Sequence, residues 1–334
     1  MNALMVAAVL AGTMVVFGYL VVIWWLDRYE REPFWLTLLV FAWGGVGGTS
    51  LGCCCSLPFA ISAIAMAGEA AGDAIGTVLV APVVEEITKG LVFLLLIPTR
   101  HLDNETDGLI YGAATGLGFA AVENIVYAVA FAEDGTGALL LLVLIRTLFS
   151  AIVHCISSGL LGMSIGYACH RSGAVRWLLW PALGLAAAVI NHAVWNGLAT
   201  LVELEALGEA SPLLFVLAIL IVVAAAAGMF GLTQYSLYRE HRAIRRHLVV
   251  EAAQGVLPIE HAGIIPYWSR RHRSDWLAPH VPKERYLRAA TMLAFRQHQL
   301  ARANGERREQ YLAEIAQLRA EVVALLHTSS EAGR

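Results

Sequence analysis

The chain has 334 residues, 58% of them hydrophobic and only 15% charged, with a formal net charge of −3. Soluble domains carry about a quarter charged residues, so the composition excludes an ordinary soluble protein and predicts an all-α, polytopic membrane bundle. The small net charge hides an asymmetry: residues 239–334 hold 16 of the 23 Lys and Arg and 10 of the 26 Asp and Glu, a net +6 against −9 for the rest.

Apolar runs long enough to span occur at 3–25, 34–66, 77–97, 108–132, 138–169, 177–201 and 212–237, about seven crossings in all. The first has no Lys or Arg before it and reads as an uncleaved span with its N-terminus outside. The second is too long for one simple crossing, and its Gly44-Gly45-Val-Gly47-Gly48 patch and Pro58 predict a kinked or partly interfacial segment. Arg28 and Arg31, Arg100, Arg171 and Arg176, and Arg239 onward fall on alternate sides. The intervening loops carry Glu69, Asp73, Glu133, Asp134, Glu203, Glu205 and Glu209 with no Lys or Arg. The positive-inside rule then puts the N-terminus outside and the C-terminus in the cytoplasm. This predicts a transmembrane domain over 1–238 and a basic cytoplasmic tail over 239–334, facing anionic lipid and not nucleic acid.

The third run holds Ala81-Pro-Val-Val-Glu-Glu-Ile-Thr-Lys-Gly90. Carboxylates in hydrocarbon cost several kcal/mol, and here two stand together with a lysine behind them. On a helix Glu85 and Lys89 are i,i+4 and Glu86 and Lys89 are i,i+3, so the lysine can neutralise either acid. Adjacent carboxylates repel and tend to differ in protonation, which suits a base and an acid. The plain alternative is a structural ion pair between helices; it ranks second, because ionisable groups recur at mid-span in the following helices.

The fourth run repeats glycine at 108, 112 and 116, a stripe for close helix approach, and the same face continues to Glu123 beside Asn124. The fifth places Arg146, Ser150, His154, Ser158, Gly162 and Gly166 on one face, and the sixth carries Asn191, His192 and Asn196. A lone membrane histidine usually makes a helix-to-helix hydrogen bond; two of them beside Glu86 and Glu123 favour a site. Glu86, Glu123, His154 and His192 each lie within about three residues of their span's midpoint, ~5 Å of helical rise, so four helices can bring them into one layer.

Beyond 238, Arg239 to Arg246 reads as a basic helix end, and 254–282 is rich in proline and tryptophan. Helical patterning resumes over 283–327, broken at Asn304-Gly305, where Tyr311, Ile315, Leu318, Val322 and Leu325 form a short heptad seam. A helical hairpin or a short coiled coil with a protein partner fits equally.

Several chemistries are set aside. There is no HExxH motif, and the six aspartates lie in loops or the tail, against an intramembrane aspartyl dyad. Gly162-Met-Ser164-Ile-Gly166 matches G-x-S-x-G but sits in a helix, and reads as packing. Cys53, Cys54, Cys55, Cys155 and Cys169 lie in apolar segments without metal-ligand spacing. What remains suits water activation at an amide. In one version a glutamate takes the water's proton while the histidines or Asn196 stabilise the oxyanion. In the other, His154, His192 and Glu123 ligate Zn²⁺ and Glu85 or Glu86 is the base. A proton-coupled transporter would also use midplane acids, but no internal repeat supports one. A non-catalytic scaffold acting through its C-terminal helices would tolerate their replacement.

Across roughly residues 20–200 the chain also resembles the PrsW family, membrane-embedded proteases related to the CAAX prenyl endopeptidases. The likeness runs through Asp27-Arg-Tyr-Glu-Arg-Glu-Pro33, the Glu85-Glu86-x-x-Lys89 motif and Asp107-Gly-Leu-Ile-Tyr-Gly112, then Phe119-Ala-Ala-Val-Glu123-Asn124, His154 and His192-Ala-Val-Trp-Asn196. The resemblance implies a protease of a bacterial cell membrane that cuts membrane proteins, with Glu85, Glu86, Glu123, His154 and His192 in its active site. Members are usually classed as metalloproteases, whereas the CAAX relatives look glutamate-based. Some relatives process anti-sigma factors, which implies a signalling role. The basic tail lies outside the resemblance.

Overall fold

The computed structural model describes residues 3–29, 31–99, 101–133, 135–169, 173–273, 275–301, 303 and 305–327. Glu30, Arg100, Asp134, Arg171 and Asn304, all used in the sequence reading, lie outside the described residues. Every regular element among the described residues is helical. In order these are α1 (Ala3–Leu26), α2 (Phe34–Ala42), α3 (Thr49–Ala67), α4 (Glu69–Ile75), α5 (Ala81–Gly90), α6 (Val92–Leu96), α7 (Glu105–Ala130) and α8 (Thr136–Ile145). They continue with α9 (Ala151–Cys169), α10 (Arg176–Glu203), α11 (Ser211–Ala253), α12 (Ile259–Ala262), α13 (Trp268–Arg271), α14 (Lys283–Leu300) and α15 (Glu306–His327).

By length and composition, six helical segments among the described residues can cross a membrane: Ala3–Leu26, Phe34–Ala67, Glu105–Ala130, Thr136–Cys169, Arg176–Glu203 and Gly208–Ala253. Six of the seven apolar runs are thus accounted for. The run 77–97 differs because Leu91 breaks it between α5 and α6; the π-helical turn at Gly76–Val80 leads into α5 without a break. Its acids and lysine lower its hydropathy as well. Irregular backbone at membrane depth is tolerated where it is buried in protein, and α5 buries Glu86, Thr88 and Lys89.

The glycine patch at 44–48 is a second π-helical turn, Trp43–Gly48, which carries α2 into α3 as one helical stretch with Pro58 inside it. A third, Arg146–Ser150, joins α8 to α9. π-Turns widen a helix locally and recur at functional sites; two of these three immediately precede the helices that carry Glu85, Glu86 and His154.

Within the membrane-crossing unit, α7 is the central helix, buried continuously from Glu105 to Ala121. It starts at a capping box: the Asn104 side chain accepts from Asp107 N–H at 2.9 Å, while Asp107 accepts from the Asn104 N–H at 3.1 Å. Asp107 is therefore a helix-capping aspartate in the first turn of α7. A Cβ at Gly108, Gly112 or Gly116 would fall on the carbonyls of Gly162, Ser158 and His154 of α9. On another side, Gly118 faces the Phe41 carbonyl and Gly44 faces that of Thr115. The small-residue stripe therefore draws α7 and α9 into backbone contact, which sets the depth of His154 against Glu123. Gly162 and Gly166 are part of that seam, and Ser164 donates to the Leu161 carbonyl at 2.7 Å, so the G-x-S-x-G match is packing.

Chain contacts divide the molecule into one unit of Met1–Leu26 with Glu32–Leu232 and another of Asp27–Arg31 with Thr233–Arg334. The division falls inside α11, which continues to Ala253 well past the basic stretch expected to end it. The second unit has its own core, with Ile244, Leu248, Ile265, Tyr286, Leu287 and Leu293 among its members. The heptad-seam residues Ile315, Val322 and Leu325 are buried in that core, and α14 and α15 form an intrachain hairpin. Glu251 is fully buried and held by both Nε and Nη2 of Arg319, at 2.7 and 2.8 Å, and by Gln297 at 2.6 Å. The bidentate fork is the strong form of such a contact.

Candidate active site

Lys89 is the hub of the polar cluster. Its side chain is fully buried, and Nζ lies 2.8 Å from Glu86 Oε1, 2.9 Å from His154 Nδ1 and 3.7 Å from Glu85 Oε2. It also sits 3.9 Å above the Phe119 ring. An ammonium only donates, so His154 Nδ1 accepts and its ring proton is on Nε2. That nitrogen donates to Glu123 Oε2 at 2.8 Å. Glu123 Oε2 also faces Arg146 Nη2 at 2.6 Å, while Arg146 Nε donates to Asn124 Oδ1 at 3.1 Å and its guanidinium covers the Tyr127 ring.

Glu86 is saturated. Oε1 accepts from Lys89 and from His192 Nδ1 at 3.0 Å, and Oε2 accepts from Ser158 at 2.9 Å. A carboxylate acceptor places the His192 proton on Nδ1, so in the neutral ring Nε2 carries a lone pair. That lone pair lies 3.8 Å from Glu85 Oε2. Glu85 Oε2 is buried and accepts no hydrogen bond. The two imidazoles stand edge to face with centroids 4.7 Å apart.

Glu85, Glu86, Glu123, His154 and His192 thus form one connected cluster drawn from α5, α7, α9 and α10. Asn196 is placed differently: its amide donates to the Thr77 carbonyl at 3.0 Å, tying α10 to the π-turn before α5. Asn191 donates to Ser157 Oγ at 2.8 Å, another α10–α9 tie. Two contributors stand in the sequence patterns but were given no role in the site: Ser158, one turn from His154 on the same polar face, and Phe119, one turn before Glu123.

The donor atoms of Glu85, His154 and His192 all lie within 4.8 Å of one another. Two histidines and a carboxylate suit a catalytic zinc site, and Glu85 Oε2 and His192 Nε2 carry pairs that no hydrogen bond uses. His154 fits as the third ligand only if Nδ1 leaves Lys89. The structure thus groups Glu85 with the histidines, while Glu123 is engaged by Arg146 and His154.

A fully helical membrane bundle with interlocked carboxylates, a lysine and two histidines at its centre defines a membrane protein with a buried acid–base site. A family model described as PrsW family intramembrane metalloprotease matches residues 32–227, and the chain belongs to the PrsW family of intramembrane proteases. It is 26% identical over 179 residues to Protease PrsW of Bacillus subtilis (strain 168), a match covering 52% of this chain and 74% of the relative. To Protease PrsW of Geobacillus kaustophilus it is 28% identical over 157 residues, 47% of this chain and 64% of the relative. A shorter match to Protease PrsW of Oceanobacillus iheyensis is 32% identical over 99 residues, 29% of this chain and 42% of the relative. No solved structure matches. Family and composition together make this a bacterial integral membrane protein.

Proposed function

We propose that the chain hydrolyses peptide bonds of membrane proteins with water activated at Glu85. The observation that carries this reading is the contrast between two adjacent carboxylates. Glu86 spends its oxygens on Lys89, His192 and Ser158, whereas Glu85 keeps one buried oxygen without a hydrogen bond, facing the His192 lone pair. A base must have an electron pair to offer, and Glu85 has it. Glu86 holds Lys89 and His192 in place, and Glu123 with Arg146 orients His154. The Lys89 ammonium and the histidines are the groups available to stabilise an oxyanion.

Zn²⁺ held by Glu85, His192 and His154 would itself supply a polarised, acidified water, with Glu85 then serving as a ligand in place of a base. In either case Glu86 orders the site and Lys89 balances its charge. Convergence of these groups in one cluster favours hydrolysis over transport, which needs a polar path across the bilayer. For orientation we adopt N-terminus outside and C-terminus cytoplasmic, with Glu69–Leu96 as a discontinuous seventh crossing. A regulatory substrate such as an anti-sigma factor follows from the family likeness. The test is comparative proteomics of membrane fractions from cells carrying wild type, Glu85→Gln or Glu86→Gln. Membrane proteins that are shortened with wild type and intact with both variants are the expected result; identical profiles would overturn the assignment.

A further inference from the structure

We propose that Arg271, Arg31 and Arg28 form a discrete site for the phosphate of an acidic membrane-lipid headgroup, separate from the acid–histidine cluster. The Asp27–Arg31 segment, part of a motif the proteolytic site leaves unused, belongs to the same unit as the tail. Tyr29 anchors it there, its hydroxyl donating to the Pro266 carbonyl at 2.8 Å. Arg271 is only 7% exposed, and its guanidinium lies 5.6 Å from the Tyr29 ring centroid and 5.4 Å from that of Trp268. Arg31 covers the same Trp268 ring at 5.5 Å, and Arg270 lies 4.6 Å from the Tyr267 ring.

Nε and Nη1 of Arg271 are buried and reach no hydrogen-bond acceptor. A buried cation is costly unless paired, and here the neighbour on the shared ring is a second cation. Burial pulls the Arg271 pKa below the ordinary guanidinium value; Tyr29 and Glu284 oppose this through space and Arg31 adds slightly to it. Arginines gathered around aromatic faces, one of them with donors to spare, are chemically matched to a phosphate, whose oxygens accept from planar N–H pairs. Covalent continuity selects the source. Arg28 stands two residues beyond Leu26, the end of a 24-residue apolar helix, and Trp and Tyr beside arginine is the composition of a membrane interface. The shared chemistry of a lipid phosphate and free inorganic phosphate is therefore resolved in favour of the lipid.

The test uses the purified full-length protein in mild detergent, titrated with phosphatidylglycerol and read by native mass spectrometry. One lipid should be retained by wild type, with affinity falling about fivefold for each arginine removed. Arg28→Gln with Arg31→Gln is the deciding variant, because it leaves the buried Arg271 in place; its melting curve is read beside wild type, since Arg31 Nε also donates to the Asp27 carbonyl at 2.9 Å. Arg271→Gln should lose the lipid as well, and Arg307→Gln with Arg308→Gln is the control for bulk charge. Lipid binding by the Arg28/Arg31 double variant equal to wild type would overturn the site, as would an equal loss in the control. Inorganic phosphate that binds wild type as strongly as the lipid, and displaces it, would overturn the assignment to a lipid.

Discussion

Replacing each of the adjacent glutamates by glutamine should separate their roles. At Glu86 the change touches three short contacts: Lys89 at 2.8 Å, Ser158 at 2.9 Å and His192 at 3.0 Å. A glutamine amide retains one acceptor oxygen and turns the other into a donor, so at least one of these donors meets N–H instead of oxygen. Hydrogen bonds to charged groups are worth about 1.5–3 kcal/mol each, and breaking one side of a buried ion pair costs about 3–5 kcal/mol. Glu86→Gln should therefore lose several kcal/mol of stability together with activity. At Glu85 the carboxylate accepts no hydrogen bond at Oε2, and its Lys89 contact is a loose 3.7 Å. Glu85→Gln should cost less stability than Glu86→Gln, because it breaks no short hydrogen bond at Oε2 and only the loose 3.7 Å contact with Lys89, while cleavage falls ~10²–10⁴-fold through loss of the base. Thermal unfolding in detergent, paired with turnover of a substrate found in the membrane-fraction comparison, measures both. A Glu86→Gln protein as stable as wild type beside a destabilised Glu85→Gln would refute the division of roles.

Three further outcomes are expected. Gly112→Ala should destabilise by about 1–3 kcal/mol, because its Cβ meets the Ser158 carbonyl, whereas Gly228→Ala, which meets nothing within 4 Å, should not; melting curves compare the two. If purified protein contains stoichiometric zinc, His192→Ala and Glu85→Gln should abolish it and Glu123→Gln should retain most, as read by elemental analysis; equal loss in all three would restore Glu123 as a ligand. In a variant without native cysteines, a cysteine at Glu133 should label from outside and one at the exposed Glu309 from the cytoplasm, and the reverse pattern would refute the proposed orientation.

Helical periodicity and span length made much of this protein legible in one dimension. The depth of Glu86, Glu123, His154 and His192 and the close-packing face at Gly108, Gly112 and Gly116 follow from local rise and turn, which sequence spacing encodes. Pairing is a different matter, because it depends on how each helix is rotated against partners distant in the chain. Only the contact of α7 with α9, set where glycines meet carbonyls, delivers His154 to Glu123 and leaves Arg146 to neutralise that acid. Neighbouring residues Glu85 and Glu86 are indistinguishable in sequence, yet a 100° step around α5 points one at Ser158, Lys89 and His192 and leaves the other with an unused oxygen. The heptad seam of the tail was visible as a pattern, but a pattern cannot say whether its partner lies in the same chain. In the structure Ile315, Val322 and Leu325 are buried against their own unit, and the return of Asp27–Arg31 to this unit rests on a contact spanning more than two hundred residues, between Tyr29 and Pro266.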